Sequence, residues 1–257
     1  MDLKALVFDT YGTVVDWRTS VLAELEALGA DRRLSVDWAR FLEDWKSCYR
    51  PGMERVNRSE WPWTTVEAIY RHGVGGLAEE ERAHLNHAWW RLRPWPDAVA
   101  GLARLRARYI ISPLSNASFA GMVHLAKFAR LPWDCIITAE NAGCYKPRPE
   151  VYQTAVRLLG LAPGNVMMVA AHNYDLRAAQ QQGLRTAFVP RPSEYGQARR
   201  PTSRPRARGT SSSPTSKTSR ARSARRSRAE RVPCIARNLP KNDMQLTRWR
   251  ARLCRLI

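Results

Sequence analysis

Apolar and polar positions fall into blocks along the chain, and the block lengths predict its elements. Leu6, Val7 and Phe8 form a strand-length apolar run that ends at Asp9 and is punctuated by Gly12. Ser20 to Leu28 has helical spacing instead, with Val21, Leu22, Leu25 and Leu28 on one face and Gly29 as a stop. Ser35 is placed to cap a second helix carrying the stripe Trp38, Phe41, Leu42, Trp45 and Tyr49, which Pro51-Gly52 should break. Two more helices are expected over 65–72, ended by Gly73, and over 78–92, ended by Pro94. No strand-like alternation occurs in this stretch, and eight of the ten tryptophans lie between Trp17 and Trp95. Residues 17–93 therefore read as an all-helical insertion packed on a sheet domain.

From Pro96 the pattern changes. A helix over 97–107 leads into the apolar run Tyr109-Ile110-Ile111, and a helix over 118–130 precedes a short strand over 135–138. Pro149 can start a helix that carries Val151, Tyr152, Val156 and Leu159 and stops at Gly160. A strand over 165–169, a helix over 175–182 ended by Gly183, and a strand over 186–189 follow. Strands alternating with helices at this spacing imply right-handed βαβ units and a parallel sheet. The expected fold is α/β, a Rossmann-like core of residues 1–16 and 94–196 interrupted by the helical cap 17–93. Polar residues follow the strands: Asp9 the first, Ser115 and Asn116 the second, Lys146 the third after a loop, and Asp175 the fourth. In a parallel sheet those ends share one edge, so four distant segments converge on one site.

Charge divides the chain at residue 197. Residues 197–257 hold 18 of the basic side chains against 2 acids, so the tail carries most of the net +19 and the part before it is near neutral. The high isoelectric point therefore implies no basic surface on the folded part. The tail is rich in Arg, Ser, Pro, Thr and Ala and lacks apolar periodicity, which predicts disorder. The five cysteines form no CxxC pair, and no secretory leader or membrane-length apolar stretch is found. A cytoplasmic location is expected, with no membrane partner and with nucleic acid reachable only through the basic tail. A homodimer remains open.

The converging residues fit nucleophilic displacement. A carboxylate can split one difficult displacement into two easier ones, and Asp9 is the candidate. Lys146 would keep it ionised, Ser115 and Asn116 offer hydrogen bonds to a substrate carboxylate or a developing charge, and Asp175 could position a water or take its proton.

The stretches Phe-Asp-Thr-Tyr-Gly-Thr, Leu-Ser-Asn-Ala, Tyr-Lys-Pro-Arg-Pro-Glu-Val-Tyr and Val-Ala-Ala-His-Asn-Tyr-Asp-Leu, in this order over residues 1–196, resemble the haloacid dehalogenase superfamily, most of all its type II (S)-2-haloacid dehalogenases. The resemblance implies a Rossmann-like core with a helical cap and hydrolysis of a carbon–halogen bond in a short 2-haloalkanoic acid, without metal or other cofactor. It implies Asp9 as nucleophile with Thr13, Ser115, Asn116, Lys146, Tyr152 and Asp175 around it.

The superfamily also holds magnesium-dependent phosphatases. Against these, Tyr11 stands where they carry a second, proton-donating Asp, and Ala171 where they carry an acidic metal ligand. Displacing a phosphoryl group needs a cation on its oxygens, whereas displacing halide from carbon does not. A phosphatase is the first rival reading, and an inert domain with a nucleic-acid-binding tail the second. Lys46 stands where a cap arginine is expected, which would loosen the grip on a carboxylate, and Arg40 is an alternative one turn away. Ala170 and His172 replace a Ser and an Asn common in the fourth motif, so His172 joins Tyr11, Asn116, Lys46 and Tyr152 as a candidate substrate contact. Relatives continue past residue 196 with a strand and a helix. An Arg/Ser/Pro-rich replacement beginning there fits a shifted reading frame in a GC-rich gene better than an evolved arm.

Overall fold

The computed structural model describes residues 2–73 and 79–196. The expectations for the tail, 197–257, lie outside the described residues. β1 (Ala5–Phe8) is the centre of a five-stranded sheet. It pairs on one side with β4 (Ile110–Ser115) and on the other with β6 (Val166–Ala170), with β5 (Ile137–Thr138) and β7 (Arg185–Phe188) at the edges. All four ladders are parallel, so every strand ends on the same edge.

Strand alternation assigns the two faces. Ala5 and Val7 point to one side, against Val151, Tyr152 and Ala155 of α8 (Pro149–Leu159) and Leu176 and Ala179 of α9 (Asn173–Gln181). Leu6 and Phe8 point to the other, in a core that includes Leu102 of α6 (Ala98–Arg106) and Met122 and Leu125 of α7 (Phe119–Ala129). Helices thus cover both faces, as an all-parallel sheet requires.

Between β1 and α6 the described residues form five helices: α1 (Trp17–Asp31), α2 (Trp38–Ser47), α3 (Tyr49–Asn57), α4 (Val66–Gly73) and α5 (Glu79–Ala88). Trp17, Val21, Leu25, Leu42, Trp45, Ile69, Tyr70, Leu85 and Trp89 extend the second core cluster into this segment. A two-stranded antiparallel ribbon, β2 (Val15–Asp16) with β3 (Arg93–Pro94), closes its base. Most of the expected elements are found; the ribbon was not expected, and the helices of this segment differ from expectation at four points. α1 runs through Gly29, because the Trp38 indole fills the place a Cβ would take, 2.5 Å away. Asp37, not Ser35, caps α2, accepting from Arg40 N at 2.9 Å. Pro51 and Gly52 sit inside α3: Pro51 is in the first turn, where no N–H is needed, and Gly52 admits Ile69. Finally, α5 ends at Ala88, short of Leu92.

Candidate active site

Asp9 leaves the end of β1 at the floor of a cavity of about 480 Å³ between the sheet edge and the helical segment. Tyr11, Trp17, Lys46, Tyr49, Met53, Ser115, Asn116, Lys146, His172 and Glu194 are among its lining residues. They come from several segments far apart in the chain, which is what the common strand edge permits.

Both oxygens of Asp9 are held. Lys146 Nζ lies 3.2 Å from Oδ1, while the Thr13 hydroxyl donates to Oδ2 at 2.7 Å and His172 Nδ1 sits 3.0 Å from the same oxygen. Burial alone would raise the Asp9 pKa, but Lys146, His172 and Thr13 hold it well below the usual carboxylate range. Thr13 is itself fixed by Ala171 N, which donates to Oγ1 at 2.9 Å from the end of β6. Lys146 is pinned from behind: Asp175 Oδ2 is 2.6 Å from Nζ, and the Tyr152 hydroxyl donates to Asp175 Oδ1 at 2.6 Å. Burial works against the Lys146 charge, yet the two carboxylates raise its pKa. Asp175 is fully buried and its pKa is raised, by burial and then by the negative charge of Asp9, against the pull of Lys146.

Asn116 turns its Oδ1 to Lys146 N at 2.9 Å and its Nδ2 to Met53 Sδ at 3.3 Å, and Ser115 Oγ accepts from Ala117 N at 3.2 Å. The loop that carries Lys146 is tied to α3 by two reciprocal bonds, Asn57 Nδ2 to Tyr145 O at 3.0 Å and Tyr145 N to Asn57 Oδ1 at 2.8 Å.

A model of the haloacid dehalogenase-like hydrolases matches residues 3–183. The chain belongs to that family. A curated relative is the (S)-2-haloacid dehalogenase of Xanthobacter autotrophicus, 31% identical over 202 residues, with 77% of this chain and 79% of the relative aligned. Among solved structures, the L-2-haloacid dehalogenase PA0810 is 41% identical with a TM-score of 0.74, covering 77% of this chain and 88% of that one. The defluorinating L-2-haloacid dehalogenase Rha0230 is 38% identical, also at 0.74, covering 77% and 85%.

Within this haloacid dehalogenase-like hydrolase the structure brings Asp9, Tyr11, Lys46, Ser115, Asn116, Lys146 and His172 to the cavity wall. Thr13, Tyr152 and Asp175 stand behind it, in contact with the residues that line it. Arg40 is outside, on an exposed pair with Asp44 at 3.3 Å. Lys46 Nζ is set among rings: its distances to the centroids of Tyr49, Trp17, Trp89 and Tyr70 are 3.9, 5.1, 5.3 and 5.7 Å, and it donates to the Tyr70 hydroxyl at 2.9 Å. Desolvation by those rings lowers its pKa to about 8, against the pull of Glu194, Asp9 and Glu43. Tyr11 donates to Trp89 O at 3.4 Å. Glu194 is a contributor that sequence reasoning missed. It is buried on the segment after β7, accepts from Trp17 Nε1 at 3.2 Å, and lies 3.0 Å from His172 Nε2. Among the described residues no helix is long and apolar enough to cross a membrane.

Proposed function

We propose that this chain hydrolyses the carbon–halogen bond of short 2-haloalkanoic acids, the (S) enantiomer where the carbon is chiral, through an ester on Asp9. The observation that carries the reading is the state of Asp9: an ionised carboxylate, held on both oxygens, facing a cavity with a second cation, Lys46, in its wall. Oδ2 already accepts two hydrogen bonds and Oδ1 one longer contact, so Oδ1 has the freer lone pairs for attack on the halogen-bearing carbon. The C–O bond forms as the carbon–halogen bond breaks, and halide leaves with the bonding pair. Water then cleaves the ester at the Asp9 carbonyl. Charge develops there on Oδ2, where the Thr13 hydroxyl is placed to stabilise it.

Lys46 and Asn116 are the contacts assigned to the substrate carboxylate, with Ser115 and Tyr11 completing the wall. Residues 17–93 act as the cap over the core 1–16 and 94–196. Asp175 and Tyr152 hold Lys146 in place and do not touch substrate. No step calls for a metal, since the departing anion is a single halide and the two carboxylates nearest Lys146 are already neutralised in part by it.

The test is halide release from each enantiomer of 2-chloropropionate and from fluoroacetate, with EDTA present, for the wild type and Asp9→Asn. Release that survives EDTA and is lost in Asp9→Asn is expected. No release from folded protein, together with magnesium-dependent hydrolysis of p-nitrophenyl phosphate, would replace this reading with a phosphatase.

A further inference from the structure

His172 is held between two carboxylates. Its Nδ1 is 3.0 Å from Asp9 Oδ2, and its Nε2 is 3.0 and 3.1 Å from the two oxygens of Glu194. An ionised carboxylate only accepts hydrogen bonds, so an imidazole with one on each nitrogen carries both ring protons. Glu194 is not a chance neighbour. Its carboxylate occupies the space above Gly12, where a Cβ would come within 2.1 Å of Oε1, and Trp17 Nε1 donates to the same oxygen. Arg191 anchors the segment that delivers it, through Thr13 O at 2.9 Å and Asp97 at 2.8 Å.

We propose that His172 is a base gated by the ester: it keeps its second proton while Asp9 is a free carboxylate, releases it when Asp9 is alkylated, and then takes a proton from the attacking water, with Glu194 as its positioning residue. This rests on the Asp9 ester of the proposed function. Alkylation turns the Asp9 carboxylate into a neutral ester and removes the charge facing Nδ1. The Nδ1 proton passes to solvent, while Glu194 keeps the other on Nε2. The free lone pair then lies on Nδ1, beside the ester carbonyl that water must attack. The balance closes. Halide leaves in the first step, the imidazolium proton goes to solvent, and water supplies a hydroxyl to the ester carbon and a proton to Nδ1. Free Asp9, the 2-hydroxy acid and the imidazolium result.

The direction of the His172 pKa agrees. Burial opposes its charge, but the bonds to Asp9 and Glu194 raise it to about 10. The other ionisable groups near the ring are Lys146 and Asp175, which pair behind Asp9, Tyr174, whose ring centroid is 5.7 Å away, and Lys46, which faces Glu194 and Asp9 across the cavity.

The experiment is nitrogen-15 NMR of the full chain labelled at histidine, with His172→Gln to assign the signal. Asp9→Asn stands in for the ester, since it neutralises Asp9 without changing its size. In the wild type His172 should stay doubly protonated to about pH 9. In Asp9→Asn its titration should fall by about three pH units or more, to neutral or below, leaving the neutral ring protonated on Nε2. Glu194→Gln should lower the titration and free the tautomer. A wild-type midpoint near that of an ordinary histidine, or one unmoved by Asp9→Asn, overturns the gate, as does a neutral ring protonated on Nδ1. These readouts need no substrate, so a failed halide assay and a failed gate remain separable. In a pre-steady-state mixing experiment with 2-chloropropionate, the proton should appear with the halide; its appearance only with the hydroxy acid also overturns the proposal.

Discussion

Lys46 gives the most exacting test of how this cavity holds an anion. Its ammonium has four aromatic rings around it and one hydrogen bond, to the Tyr70 hydroxyl, and its pKa falls to about 8 because the rings displace water. Lys146, the other lysine in the wall, is already paired with Asp9 and Asp175. Raising the pH through 8 should therefore remove the charge proposed to receive the substrate carboxylate. At one unit above the midpoint about one lysine in eleven keeps its proton, so KM at pH 9 should be about tenfold higher than at pH 7. Lys46→Arg should move that rise out of range, since a guanidinium keeps its charge. Lys46→Met should raise KM about 10- to 100-fold at pH 7, the worth of one charge-assisted hydrogen bond. Initial rates of halide release between pH 6.5 and 9.5, fitted separately for KM and kcat, decide it. A KM flat to pH 9.5 in the wild type refutes the reasoning, and so does an unchanged rise in Lys46→Arg. The stability consequence has a definite sign. An unfolded lysine binds its proton up to about 10.5 and the folded one only to about 8, so Lys46 makes the fold more stable as pH rises between those values.

Three further outcomes follow from the same contacts. Tyr152→Phe leaves Asp175 Oδ1 without its donor in a fully buried position, and should cost about 1–3 kcal/mol in urea unfolding while lowering kcat through the loosened Lys146. Gly12→Ala puts a Cβ into the Glu194 carboxylate at a residue with φ of +86°, so the protein should lose at least about 1–2 kcal/mol and the His172 titration should fall with it; a variant of wild-type stability and titration would show that the Glu194 seat is not what the glycine serves. Asp9 has its folded pKa below the unfolded one, so its contribution is present above about pH 4 and lost as pH falls through the folded value. Asp9→Asn should therefore flatten the acid limb of a stability–pH curve, and parallel limbs in the two proteins would contradict the ion-pair geometry.

The sheet was legible because its three central strands, β4, β1 and β6, are largely apolar runs, and the chemistry sits just beyond them. Asp9, Asn116, Lys146 and His172 reach one cavity for that reason. The helical segment was legible as a whole and less so at its joints. Val15–Asp16 and Arg93–Pro94 form a two-residue ribbon that no periodicity can announce. Gly29 and Gly52 read as stops, yet each lies within a helix because an aromatic or branched side chain from a neighbouring helix fills the missing Cβ. A glycine in a helical pattern carries two meanings, an end or a close approach, and only the packing partner separates them.

Glu194 shows where a reading of pattern stops for a physical reason. It lies 22 residues beyond His172 on a segment with no apolar periodicity, and an isolated glutamate in such a segment reads as a solvated side chain. Its burial is created by residues that are remote in sequence: the bare Cα of Gly12, the indole of Trp17, and Arg191 reaching back to Thr13 O. A buried carboxylate is tolerable only beside a counter-charge or donors, and His172 with Trp17 supplies both. The signal therefore resides in the combination of a glycine three residues after the nucleophile and a histidine where the fourth motif commonly has Asn. The glycine leaves a hole, the histidine needs a second carboxylate to be held as an imidazolium, and one glutamate on the returning segment satisfies both.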